Sequence, residues 1–125
     1  VHNYDFTRLC DRAKEIKAGK YDAFLVAVPN PSFNSMGDLT VLEDGSVVRG
    51  QPPRKHSYGC IMLVNPKIFD GLKPVWCKLF PWMWELAQQG RMRAEVFDGF
   101  WDNVGTVEQL QALRQNTQAL QWARF

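Results

Sequence analysis

Phe97-Asp98-Gly99-Phe100-Trp101-Asp102-Asn103-Val104-Gly105-Thr106-Val107-Glu108-Gln109-Leu110 reads as the end of an apolar strand, an acidic corner and the start of a helix. Thr106 has the chemistry of an N-cap, and Gln109 that of the return half of a capping box. Gly105 gives the backbone the freedom to bend between corner and helix. The carboxylate of Asp102 and the amide of Asn103 are therefore expected at a strand end, just ahead of a helix N-terminus. In α/β sheets such places hold phosphate groups and their metals.

Upstream of this stretch, Met92-Arg93-Ala94-Glu95-Val96-Phe97 alternates well enough for a strand with one wet face. Before it, residues 76–89 predict the most apolar helix, stopped at Gly90. Leu79, Trp82, Met83, Leu86 and Ala87 share one face of it, and Phe80 and Trp84 extend that face to a second. Either a thick core covers so wide a stripe, or a further layer from the missing part of a larger molecule or from another subunit does. Downstream, the last helix is expected from Thr106 to about residue 120, burying Val107, Leu110, Leu113 and Leu120. The tail, residues 121–125, is apolar enough to dock.

The N-terminal part follows the same alternation of helix and strand. Phe6, Leu9, Cys10, Ala13 and Ile16 recur at helical spacing over residues 5–18, with Asp5 as N-cap and Gly19 at the stop. Ala23-Phe24-Leu25-Val26-Ala27-Val28, closed by Pro29, suits a strand buried on both faces. Residues 30–38 are a loop of turn formers. Asp44-Gly45, between Leu39-Thr40-Val41-Leu42 and Val47-Val48, signals a hairpin. Arg54-Lys55-His56 ends a proline-stiffened loop and reads as a solvated segment whose basic pair could approach a phosphate. Tyr58-Gly59-Cys60-Ile61-Met62-Leu63-Val64 is a second apolar strand, and Asn65-Pro66 caps and opens a short helix that Gly71 stops. The order predicts an α/β domain spanning residues 1–125.

Composition sets limits on function. The chain has 125 residues and a net charge of +2, with no basic run and no long apolar run, so neither nucleic acid nor a membrane is expected as a partner. Val1-His2-Asn3-Tyr4-Asp5 has neither an initiating Met nor a signal-peptide pattern, which is what a fragment or a processed product would show. Cys10, Cys60 and Cys77 lack metal-ligand spacing and read as reduced structural thiols of a cytoplasmic protein, with Cys10 and Cys60 in the core. His2 and His56 read as loop residues.

The opening stretch resembles the "G-x-W-x-D-x-G-T-x-E-x-L" signature of sugar-1-phosphate nucleotidyltransferases, and most closely that of N-acetylmuramate-1-phosphate uridylyltransferases. The resemblance extends in order over about residues 1–115: Asp5-Phe6, Asn30-Pro31, Gly37-Asp38, Asn65-Pro66, Trp101, Gly105-Thr106 and Leu110. It implies a partial Rossmann-like fold, a mixed sheet with flanking helices, that lacks the N-terminal nucleotide-binding half. It also implies a bacterial, cytoplasmic protein that binds a sugar phosphate through Gly37, Asp38 and Trp101. The family binds magnesium through an Asp two residues after the Trp. That position is Asn103 here, with Asp102 beside it, and an amide is a weaker ligand than a carboxylate for a hard cation. The family's Gly-rich triphosphate loop, its transition-state Lys and its other magnesium Asp have no counterpart in this sequence. The resemblance therefore implies a half-enzyme, inactive in synthesis unless an N-terminal half joins it. The other expectation is a non-catalytic binding or assembly module derived from that family, which oligomerises to cover its apolar helix.

Overall fold

The computed structural model describes residues 1–73, 76 and 78–116. Cys77, read as a reduced thiol, and Leu120 and the tail from residue 121, for which packing was expected, lie outside the described residues. The chain forms two compact units. Phe6–Phe97 is the larger, and Val1–Asp5 together with the chain from Asp98 onward is the smaller.

The larger unit is built on strand β1, Ala23–Pro29, whose first six residues are all buried. It is the centre of a three-stranded mixed sheet. Strand β4, His56–Val64, pairs with it antiparallel, and strand β5, Met92–Val96, pairs with it parallel. A continuous apolar run is what a strand with neighbours on both edges and cover on both faces requires. On one face Leu25 and Ala27 join Met83, Met92 and Leu39 in the main core. On the other, Phe24 packs with Ile16 and Tyr21.

Helix α1, Leu9–Lys17, supplies Ile16. It starts later than expected, because a 3-10 turn, Phe6–Arg8, precedes it and Arg8 takes the N-cap position. Cys10 is exposed rather than in the core, since only the Ile16 side of α1 meets the sheet. The strands β2, Thr40–Val41, and β3, Val47–Val48, form the predicted hairpin. The Asp44 carboxylate closes its turn by accepting from the Ser46 N–H at 2.9 Å. The hairpin tip docks on β5, where the Ala94 N–H donates to the Gly45 carbonyl at 2.8 Å. Asn65 caps the 3-10 helix Pro66–Phe69 as expected, accepting from the Lys67 N–H at 3.2 Å. Asp22, just before β1, accepts from Asn65 at 3.0 Å and from Arg91 at 2.8 Å, and so ties the end of β4 and the start of β5 to the central strand.

Helix α2, Leu79–Gln88, buries Met83 fully, while Phe80, Trp82, Trp84, Leu86 and Ala87 pack around the core's rim. Trp82 stacks on Phe69 with ring centroids 5.2 Å apart, and Phe80 meets Tyr58 edge-on at 5.4 Å. The core therefore buries Met83 and half-covers its neighbours on the stripe, while Leu79 stays exposed. Trp76, 89% exposed, and Leu72, 58% exposed, lie outside it.

Strand β4 departs from the uninterrupted strand that its sequence suggests. Val26 is opposite Ile61 but Ala27 is opposite Tyr58, so Gly59 and Cys60 form a bulge. Cys60 has φ +60° and is exposed, which corrects its expected place in the core. The bulge falls at a glycine because a Cβ at Gly59 would meet the Val26 carbonyl at 2.9 Å.

In the smaller unit, the Asn3 N–H donates to the Phe100 carbonyl at 3.0 Å and the Asp102 N–H to the Val1 carbonyl at 2.8 Å, with His2 bridging Trp101. Helix α3, Val107–Gln115, opens with the predicted capping box, Thr106 accepting from the Gln109 N–H at 3.2 Å. No residue of α3 is buried; Val107 is 65% and Leu110 38% exposed, against the burial expected of them. No helix among the described residues is long and apolar enough to cross a membrane.

Candidate functional site

The loop at residues 30–38 leaves the C-terminal end of β1, and the parallel strand β5 ends at that same end of the sheet, Ala27 lying opposite Val96. This end of parallel strands is where α/β sheets place their ligands.

A 3-10 turn, Ser32–Asn34, and backbone bonds such as that from the Asp38 N–H to the His56 carbonyl at 2.8 Å shape the loop, and a side-chain network braces it. The Asp38 carboxylate accepts from the Asn34 side-chain amide at 3.0 Å through one oxygen. Through the other it accepts from the Tyr58 N–H at 2.9 Å. The Asn34 amide also donates to the Ser57 hydroxyl at 3.0 Å, which donates to the Asn30 Oδ1 at 2.9 Å. The Asn30 Nδ2 then donates to the Arg54 carbonyl at 2.7 Å. Ser57 is buried, so the network replaces the water its hydroxyl gives up. Gly37 sits inside this network with φ +63°. A Cβ there would meet the Arg54 carbonyl at 2.6 Å and the Asn30 amide at 2.8 Å.

Both partners of Asp38 are donors, so only a group with two acceptors satisfies both. Asp38→Asn turns an NH2 toward one of them and is expected to lose about 1–3 kcal/mol. Urea unfolding measures the loss, and an unchanged midpoint would show that the loop holds without the network.

His56 opens β4 instead of lying in a loop. Its backbone pairs with Leu39, and its Nδ1 accepts from the Val41 N–H at 3.1 Å, so the ring proton sits on Nε2. Burial, with a smaller contribution from Lys55, lowers its pKa below 6.5. The fold thus favours the neutral ring, and protonation also takes away the acceptor that Val41 uses. Stability from this group is complete above the unfolded value and falls as pH drops below about 6.5. It stops falling once pH passes below the folded value. His56→Asn keeps an acceptor near Nδ1 without a titrating ring. It is expected to remove part of the stability loss between pH 7 and pH 5, as read by urea midpoints.

The other predicted site residues belong to the smaller unit. Trp101 and Asp102 are half-buried, Asn103 is exposed, and α3 begins with the Thr106 cap. Asp102 and Asn103 offer one carboxylate and one amide, a thin donor set for magnesium. Among the described residues no three His, Cys, Asp or Glu side chains come together as a metal site.

Sequence reading singled out Gly37 and Asp38, which lie in the braced loop, but missed Asn30, Asn34 and Ser57 as their supports. The available signal was the density of Asn and Ser in the loop, which announces side-chain to backbone bonding without naming the partners. Fold and loop together define a mixed α/β protein with a braced loop at the C-terminal end of its central strand. No family model matches the chain.

Proposed function

We propose that this chain is the sugar-1-phosphate-binding half of a nucleotidyltransferase. In that reaction a sugar-1-phosphate oxygen attacks the α-phosphate of a nucleoside triphosphate and pyrophosphate leaves. Catalysis there rests on positioning and charge neutralisation. The observation that carries the reading is the braced loop at the C-terminal end of β1, whose Gly37-Asp38 pair matches the family pattern. Asp38 acts by holding the loop. The Asn30 side-chain amide donates to the Arg54 carbonyl at 2.7 Å, so Arg54 and Lys55 border the loop, and they are the proposed cations for a phosphate. In the smaller unit, taken by itself, Trp101 is proposed as an apolar contact for a sugar ring and Asp102 with Asn103 as a weakened magnesium site.

Titration of the isotope-labelled chain with α-N-acetylmuramate-1-phosphate tests the reading. Amide shifts at Gly37, Asp38 and Lys55 are expected, with Lys55→Gln weakening the response. No response at millimolar ligand overturns the reading, and UDP-sugar synthesis by this chain alone overturns the assignment as half an enzyme. Asn103→Asp is expected to gain magnesium affinity over the parent.

The exposed apolar residues Leu72, Trp76 and Leu79 favour a second reading, a non-catalytic assembly module. Under that reading the chain self-associates in sedimentation, and Trp76→Ser makes it monomeric.

A further inference from the structure

Among the described residues, the outer edge of β4 is used along its first half only. Backbone direction alternates along an antiparallel pair, and two hydrogen bonds fix the phase. The Phe97 N–H donates to the Ala27 carbonyl at 2.8 Å, which turns Ala27 toward β5 and hence Phe24 and Val26 toward β4. The Asn65 N–H donates to the Asp22 carbonyl at 2.7 Å, in the same phase. Ile61 and Leu63 therefore face β1, and the N–H and C=O groups of Met62 and Val64 face outward. Nearer the start of β4, outward groups are taken. His56 exchanges bonds with Leu39, and the Tyr58 N–H donates to Asp38. Past the bulge, β4 is a sheet edge, with no strand beyond it among the described residues.

Beside this edge runs a mainly apolar groove of about 370 Å3 between α1 and the end of β4. Ala13, Ile16, Leu63 and Val64 form its walls, and Lys17 and Lys67 are its charged lining residues among those described.

We propose that the outer edge of β4 at Met62 and Val64, with the adjoining groove, is a docking site for an extended polypeptide strand that is apolar at alternate positions and acidic at its flanks. The outward backbone groups recur at strand spacing, so a backbone is their natural complement. Alternate side chains of an added strand would project toward α1, into the groove. Lys17 and Lys67 select acid in the guest. A second copy of this chain is disfavoured, because an isologous pairing would bring the same lysines of both copies to one interface. This site lies apart from Gly37 and Asp38 and does not depend on the sugar-phosphate reading.

The probe is the fluorescein-labelled, amidated heptapeptide Glu-Val-Thr-Val-Thr-Val-Asp, followed by anisotropy with the full chain. Saturable binding is expected, falling at least tenfold when both acids become Lys. Two further peptides carry N-methyl groups on one or the other alternate set of residues. One set is expected to abolish binding and the other to leave it, since only one row of peptide N–H groups meets β4. Met62→Pro removes an outward donor without touching a bond to β1 and is expected to weaken binding at least tenfold. The surface pair Lys17→Glu, Lys67→Glu does the same should the proline variant fold poorly. In amide exchange, Met62 and Val64 are expected to be fast in the free chain and slowed by peptide, with Ile61 and Leu63 protected throughout. Absent binding, equal binding of both N-methylated peptides, or a homodimer through β4 that the peptide cannot displace would each overturn the proposal.

Discussion

Alanine at Gly37 is expected to destabilise the larger unit by about 3 kcal/mol. Two costs combine. At φ +63° the new residue sits in the left-handed region, where a Cβ is unfavourable by about 1–2 kcal/mol. The Cβ would also lie 2.6 Å from the Arg54 carbonyl and 2.8 Å from the Asn30 amide, both committed to the bond that braces the loop. The backbone carbonyl cannot swing aside as a flexible side chain would, so the loop or the Arg54 segment must move. Gly19 separates the two costs, because its φ is +78° and a Cβ there meets nothing within 4 Å. Gly19→Ala should lose only the conformational part, about 1 kcal/mol. Urea midpoints of the two variants give the difference. Equal losses would mean that the loop yields freely and is a poor platform for a ligand.

The same comparison shows what kind of information the sequence carried. Local chemistry was legible. The apolar run of β1, the Asp44-Gly45 turn, the Asn65 cap and the Thr106–Gln109 box each depend on residues within a few positions of one another. What failed depends on distant partners. Cys60 sits in an apolar run and reads as core, yet the bulge turns it out because Gly59 must approach Val26 across the sheet. The periodicity of α3 predicted a buried face, but burial needs an opposing surface, and among the described residues no residue of α3 is buried. In the candidate site Gly37 and Asp38 were visible, whereas their braces, Ser57 and Arg54, come from the far side of the hairpin.

Leu25→Ala is expected to have the largest effect of any single truncation, about 3–5 kcal/mol. Leu25 is 1% exposed in the middle of the central strand, opposite Met62 on β4 and beside Ala94 on β5. Its side chain joins the core face that Met83 of α2 closes. With strands on both edges the backbone cannot collapse into the space left behind, so the loss includes a cavity as well as the missing transfer free energy. Domains of this kind are stable by about 5–15 kcal/mol in all, so the variant should be partly unfolded at moderate urea. Leu25→Met conserves volume and should lose less than about 1.5 kcal/mol, which distinguishes a cavity from a general intolerance of change at this position. The size of the alanine effect also decides between the two accounts of the wide apolar stripe on α2. A loss in the full range means that α2 seals this face and the core is complete within the larger unit. A loss below about 1.5 kcal/mol would mean that water already reaches the face, and that Trp82 and Trp84 await a further layer.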